Sequence, residues 1–157
     1  MFFSWSKNKI KKFSNQVENN KSLIEELKIL GIKQGNILSA IEKVPRKLFV
    51  EAEFIGQAYK NIPLPIDCGQ TISQPYVVAY MISCLNLKCS DKVLEIGTGT
   101  GYQTAILSYL CKEVYSIEIH SKLLNKAKKR LEKLNLKNIF FKLGNGIEGW
   151  KSKVLFD

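Results

Sequence analysis

Three glycines at alternate positions, Gly97, Gly99 and Gly101, end the apolar run Val93-Leu94-Glu95-Ile96, and 21 positions after the first of them stands Glu118. Glycine lets the backbone take positive φ and approach a ligand closely. A helix starting near Tyr102 turns its free N–H groups and the positive end of its dipole toward the same place. An acid about 20 residues beyond such a loop accepts hydrogen bonds from ribose hydroxyls in doubly wound nucleotide-binding folds. The chemistry served by this spacing is the binding of a nucleotide-like ligand; the alternative is a tight strand–helix turn that binds nothing. Val93, Leu94 and Ile96 read as a parallel strand covered on both faces, and Val114-Tyr115-Ser116-Ile117 as a second strand ending on Glu118.

Dinucleotide binders show G-x-G-x-x-G, whereas this loop is Glu95-Ile96-Gly97-Thr98-Gly99-Thr100-Gly101. The difference counts against a nicotinamide-binding oxidoreductase. The loop resembles the first motif of S-adenosylmethionine-dependent methyltransferases. That resemblance implies S-adenosyl-L-methionine as cofactor, with Glu95, Gly97, Thr98, Gly99 and Gly101 around its amino acid part and Glu118 on its ribose.

A second set of motifs is more specific. Val44-Pro45-Arg46-x-x-Phe49-Val50, Pro63-Leu64-Pro65-Ile66, Gly69-Gln70-Thr71-Ile72-Ser73-Gln74-Pro75 and Leu94-Glu95-Ile96-Gly97-Thr98-Gly99-x-Gly101-Tyr102-Gln103 follow one another in this order. Together they resemble the protein-L-isoaspartate O-methyltransferases from about Ile24 to Asp157. The resemblance implies Ser73 as the catalytic residue, with Thr71, Ile72 and Gln74 on the substrate side. The substrate implied is the α-carboxylate of isoaspartyl residues in damaged proteins, whose methylation leads through a succinimide toward repair. It also implies a cytoplasmic monomer, if complete, with no membrane and no specific nucleic acid as partner. Read from the residues alone, Ser73 precedes a helix with Pro75 in its first turn, where a capping hydroxyl belongs. Site and cap both stand at this stage, since one serine can serve both. At Gly144-Asn145-Gly146 the family typically has an acid near the adenine, so Asn145 is carried over as a cofactor contact without the charge. Trp150 stands at the family's Gly-Trp position, either covering the sheet end or facing the pocket.

The elements that must position these residues follow from pattern. A helix from about Ser22 places Leu23, Ile24, Leu27 and Leu30 on one face before Gly31, and a second covers Ile37 to Lys43 until Val44-Pro45 ends it. The prolines between residues 44 and 66 predict a pinned loop rather than regular structure. The next helix carries Val78, Met81, Ile82 and Leu85 inward. A lysine-rich helix then buries Leu124, Ala127, Leu131 and Leu134, and Ile139–Leu143 forms a third strand. The fold class is α/β: a Rossmann-like, doubly wound methyltransferase fold with an N-terminal helical segment. The expected divisions are a basic extension at 1–20, a helical and substrate-side segment at 21–90, and the first half of the cofactor-binding unit at 91–157, in one structural domain.

Length and composition fit a soluble globular chain: 157 residues, 45% hydrophobic. The net charge of +10 raises nucleic acid as a partner, but of 24 basic residues only Arg46 and Arg130 are arginine, the residue that bidentate phosphate and guanine recognition favours. Cys68, Cys84, Cys89 and Cys111 form no C-x-x-C pair and His120 has no partner motif, which counts against a metal. The cysteines read mostly as small hydrophobes in a reducing compartment. At Val154-Leu155-Phe156-Asp157 the chain reaches what resembles the start of the family's fourth strand. The expectation is a sheet incomplete at its C-terminus, in a fragment or in a decayed, non-catalytic remnant, and residues 1–157 alone are expected to associate or open readily.

Overall fold

The computed structural model describes residues 20–150 and 155–157. The extension expected at 1–20 lies outside the described residues except for Asn20, as does Val154 of the expected fourth strand.

Helix α1 spans 20–29 and buries Leu23, Ile24 and Leu27. Its end explains a misplaced residue: Leu30 is exposed, and Ile32 is buried instead. The Ile32 N–H donates to the Leu27 carbonyl and the Gly31 N–H to that of Lys28, with Gly31 at φ +100°. This is the left-handed helix stop that only glycine takes without strain, and it folds the residue after it back onto the helix. Helix α2, Gly35–Lys43, buries Ile37, Leu38, Ala40 and Ile41. It stops at Val44, which is extended (φ −96°, ψ 105°) because Pro45 follows.

The segment expected to be a pinned loop carries short regular pieces. Turns of 3-10 helix cover Arg46–Leu48 and Ala52–Gln57. Strand β1 (Leu64–Pro65) pairs antiparallel with β2 (Thr71–Ile72), placing buried Leu64 opposite buried Ile72. A two-residue edge ladder tolerates Pro65, since it needs no N–H there. Helix α3, Pro75–Leu85, buries Pro75, Val78, Ala79 and Ile82. Its inward stripe is rotated from the expected one, so Met81 and Leu85 are exposed at 42% and 54%.

Strands β3 (Lys92–Ile96), β4 (Glu113–Glu118) and β5 (Ile139–Leu143) form a parallel sheet in that order, connected by α4 (Tyr102–Ser108) and α5 (Ser121–Glu132). Both crossovers step the same way across the sheet, so the right-handed rule puts α4 and α5 on one face. On that face Val93 and Val114 enter the core cluster, with Ile139 and Phe141 packed against it. The same cluster takes in Leu23, Ile41, Phe49 and Ile82, so the N-terminal helices and the sheet share buried contacts. On the opposite face Leu94, Tyr115 and Phe140 lie in register. Tyr115 stacks on Phe140 at 4.8 Å and receives Trp150 and Phe156 edge-on at 5.0 and 5.4 Å. Strand β3 is therefore not covered on both faces as its apolar run predicts: Val93 and Glu95 are buried, but Ile96 is 56% exposed. On its outer edge the Asp157 N–H donates to the Lys92 carbonyl, and the Lys92 N–H to Asp157 Oδ2.

One buried acid links the strands to α4. Glu95 Oε2 accepts from Thr104 Oγ1 of α4 and from Ser116 Oγ of β4, both at 2.6 Å, while its Oε1 has no protein partner. Burial outweighs these two hydrogen bonds and pushes the Glu95 carboxyl from the ordinary 4.5 up to about 7. An acid with a raised folded pKa binds its proton more tightly when folded. Glu95 therefore costs nothing below about pH 4.5, and stability falls as pH rises from there through 7. Glu95→Gln keeps an oxygen for both hydroxyls and removes the ionisation. Denaturant melts should show the variant more stable than the parent by about 3 kcal/mol at pH 8, with the difference gone near pH 4.5. A second comparison isolates the glycine loop. A Cβ on Gly101, which has φ +88°, would meet Leu131 Cδ1 at 3.0 Å and Ala127 Cβ at 3.3 Å, whereas one on Gly35 in α2 meets nothing within 4 Å. Gly101→Ala should lose about 1–3 kcal/mol of stability, and Gly35→Ala should gain up to about 1 kcal/mol, in the same melts.

Candidate active site

Strand β3 runs out of hydrogen-bonding partners just as the chain must turn toward α4. The turn is clamped onto the end of β4: the Gly97 and Thr98 N–H groups both donate to the Ile117 carbonyl, at 2.8 and 3.3 Å. Gly97, Gly99 and Gly101 have φ of +91°, +54° and +88°, so each alternate residue occupies the left-handed region. Beneath the turn, Ser116 spends its one proton on Glu95, so Thr98 Oγ1 donates to Ser116 Oγ at 2.6 Å. The loop is thereby tied through Thr98 and Ser116 to the buried Glu95.

Glu118 supports the loop from the side. Its Oε2 accepts the Gly99 N–H at 2.8 Å and its Oε1 the His120 N–H at 2.9 Å. An ionised carboxylate offers roughly four acceptor positions, so this one retains capacity for a further donor on each oxygen.

Facing the loop is the segment Thr71-Ile72-Ser73. The two together line a cavity of about 210 Å³, with Val78 and Met81 of α3 and Tyr102 and Gln103 of α4 on its other walls. Of the predicted site residues, Thr71, Ile72, Ser73, Gly97, Thr98 and Gly99 thus meet around one space. Gln74, Glu95, Gly101, Glu118 and Asn145 do not line it. Glu95 lies buried below the loop, Gly101 packs against α5, and Glu118 reaches the loop through the Gly99 N–H. Asn145 Oδ1 accepts the Ile147 N–H at 3.0 Å, so the oxygen expected near an adenine already caps the 3-10 turn Gly146–Glu148. Trp150 covers Tyr115 on the open sheet face rather than facing the cavity.

The capping role of Ser73 fails. The residue before α3 is Gln74, with no side-chain capping bond, and Pro75 is the first helical residue. Proline pushes its predecessor out of the α region, and Gln74 is extended at φ −54°, ψ 134°. The helix starts one residue too late for the Ser73 hydroxyl to reach its free N–H groups. Ser73 stands exposed at the cavity wall instead.

Sequence pattern missed the residue that holds Ser73. Arg46 is fully buried; its Nη1 donates to the Ser73 carbonyl at 2.9 Å and its Nη2 to the Ile62 carbonyl at 3.2 Å. The guanidinium lies 5.0 Å from the Tyr102 ring centroid, and Phe49 meets that ring edge-on at 5.6 Å. Burial lowers the Arg46 pKa from its ordinary value and raises the Tyr102 phenol to about 12. The clue was arginine itself, in a chain that otherwise uses lysine almost everywhere. Farther out, the β1–β2 hairpin is held to α5 by ion pairs. Asp67 pairs with Lys122 at 2.7 Å and with Lys126, and Glu51 with Lys126 and Arg130 at 3.3 and 3.2 Å. The two lysines hold the Asp67 carboxyl down at about 2.

Among the described residues no group of three or more His, Cys, Asp or Glu is placed to hold a metal. No described helix is long and apolar enough to cross a membrane. Cys111 is buried, but Cys68, Cys84 and Cys89 are exposed free thiols, so most of the cysteines do not act as core residues as expected.

The chain resembles known proteins over most of its length. It is 52% identical over 137 residues to the protein-L-isoaspartate O-methyltransferase of Dictyoglomus thermophilum, covering 87% of this chain and 62% of that one. It thus spans less than two thirds of that relative's length. A solved protein-L-isoaspartate O-methyltransferase superposes with a TM-score of 0.79 at 30% identity, over 88% of this chain and 46% of its own. A putative enzyme of the same name from Plasmodium falciparum, solved with S-adenosyl-L-homocysteine, gives 0.70 at 25% identity, over 80% and 63%. These neighbours carry the α/β methyltransferase fold expected of the chain. The family model for protein-L-isoaspartate(D-aspartate) O-methyltransferase matches residues 18–157, and the chain belongs to that family.

Proposed function

We propose that this chain carries the cofactor loop and substrate segment of an S-adenosylmethionine-dependent carboxyl methyltransferase acting on isoaspartyl residues of damaged proteins. The observation that carries the reading is the cavity that joins Thr71-Ile72-Ser73 to Gly97-Thr98-Gly99. Bound cofactor supplies an electrophilic methyl on a sulfonium. The substrate carboxylate is already ionised near pH 7, so the chain needs no strong base and no proton has to move. Its task is to hold the carboxylate oxygen in line with the methyl. Ser73, exposed at the cavity wall with its carbonyl fixed by Arg46, is placed to donate its hydroxyl to that carboxylate without neutralising it. The loop glycines leave the backbone open to the cofactor's amino acid part: at Gly97 and Gly99 a Cβ would meet no protein atom within 4 Å, so the room is on the ligand side. Glu118, with acceptor capacity left on both oxygens, suits a ribose diol, and Asn145, its oxygen engaged by Ile147, offers its amide nitrogen as a cofactor contact. The methyl ester produced is open to attack by the adjacent backbone amide nitrogen, which closes a succinimide and releases methanol, and this gives the activity its place in protein repair. Exposed, unpaired Cys68, Cys84 and Cys89 fit a reducing cytoplasm.

Two substitutions test the assignment in the full chain. Ser73→Ala should lower methyl transfer to an isoaspartyl peptide by about tenfold or more, while the melting temperature stays within about a degree, because no helix cap is lost. A drop in melting temperature with normal turnover would return Ser73 to a structural role. Glu118→Ala should weaken calorimetric binding of S-adenosyl-L-homocysteine by about 1–3 kcal/mol, from unpaired ribose hydroxyls and a loosened Gly99. Titration with NADH in the same instrument should give no heat of binding.

A further inference from the structure

Arg46 is a buried cation without an anion. It is fully inaccessible, its two hydrogen bonds go to neutral carbonyls, and its Nε has no protein partner. Both carbonyl partners belong to the segment on the substrate side of the cavity: Ile62, just before β1, and Ser73, just after β2. No carboxylate among the described residues pairs with it, although the chain's other arginine, Arg130, is paired with Glu51. A charge removed from water normally demands a counter-ion, and two carbonyl dipoles and a ring face supply only part of one. A neutral side chain of similar length would fill the volume without that penalty. The molecule retains the charge directly behind Ser73, on the wall against which an anionic substrate is placed above.

We propose that Arg46 is a positioning residue for the substrate carboxylate: it fixes the Ser73 carbonyl, and so the hydroxyl beside it, and leaves a positive charge behind the cavity wall that an anionic group entering the cavity compensates. Arg46 does not touch substrate. It acts through the Ser73 peptide, whose carbonyl it draws inward at 2.9 Å, leaving the side chain on the cavity side. It also couples the two halves of the site, because its guanidinium lies on Tyr102, the first residue of α4 and itself a cavity wall. The inference rests on the carboxyl-methylation reading for the identity of the anion, but not for the placement of Ser73.

The test uses the full chain with Arg46→Met and Arg46→Lys, and three readouts. For Arg46→Met, KM for an isoaspartyl peptide should rise at least tenfold while the Kd for S-adenosyl-L-homocysteine stays within twofold. Amide exchange at Thr71–Gln74 should accelerate at least tenfold with β4 unchanged. Arg46→Lys, which keeps the charge without the two-pronged geometry, should recover part of the KM effect and little of the exchange protection. An unchanged KM, an equal loss of cofactor affinity, or exchange that rises uniformly through β4 would each overturn the proposal. If Arg46→Met does not fold, the Arg46→Lys exchange and KM values decide by the same criteria. If the parent chain transfers no methyl, it is not an active methyltransferase on its own, and the exchange at Thr71–Gln74 alone decides whether Arg46 holds the segment.

Discussion

The hinge of this molecule is the pair of hydrogen bonds by which Gly97 and Thr98 hang from the Ile117 carbonyl. A parallel sheet needs a crossover after every strand, and the chain leaving β3 must clear the end of β4 before α4 can lie back on the sheet. Doing this within five residues requires left-handed φ at alternate positions. The same backbone shape that solves the folding problem leaves a stretch of chain without side chains facing outward, and this is the room a ligand needs. Fold and site are satisfied by one geometry, which is why the loop is legible from sequence in both senses.

What stiffens the loop is less local. Thr98, Ser116 and Glu95 form a buried chain of hydroxyls and carboxyl between β3 and β4, and Thr104 closes it from α4. A buried polar network is costly unless satisfied, and the orphaned Glu95 Oε1 together with the raised pKa indicate that this one is held near its limit. Such an arrangement specifies one relation among three elements that apolar packing alone would leave free to slide. The wall of the cavity facing the loop is built on the same plan, with Arg46 joining two loop carbonyls that no ladder reaches.

Strands β3, β4 and β5 and helices α2 and α5 were legible because their boundaries are written in residue types: Val44 before Pro45, glycines after Ile96, alternating or continuous apolar runs. Facing directions were less so. Met81 and Leu85 match a helical stripe as well as Pro75 and Ala79 do, and only the position of α2 selects between the two stripes. Leu30 lost its place to Ile32 through a helix-stop geometry that acts on the residue after the glycine a pattern search registers. Ser73 as a cap failed because proline's effect was placed a residue away from where it acts, and the loop carries short turns and a two-residue ladder that leave no periodic signal. Arg46 was invisible for a different reason. Its value lies in what it is buried against, and a charge in a lysine-rich chain reads as solvated surface.

The two glutamates beneath the glycine loop show how closely spaced acids are given different work. Glu95 and Glu118 lie near the ends of neighbouring strands on the same face of the sheet, both are 4% exposed, and both accept two hydrogen bonds. The donors differ. Glu95 takes hydroxyls on one oxygen, from side chains that belong to the core, and its other oxygen accepts no hydrogen bond of good geometry. Glu118 takes one backbone N–H on each oxygen, from Gly99 and His120, so its carboxyl is held by groups that cannot rotate away. Burial raises the Glu95 carboxyl, which tolerates a proton among the hydroxyls it joins. Glu95 is thereby committed to holding elements together, while Glu118, at the end of β4, braces the loop through the Gly99 N–H.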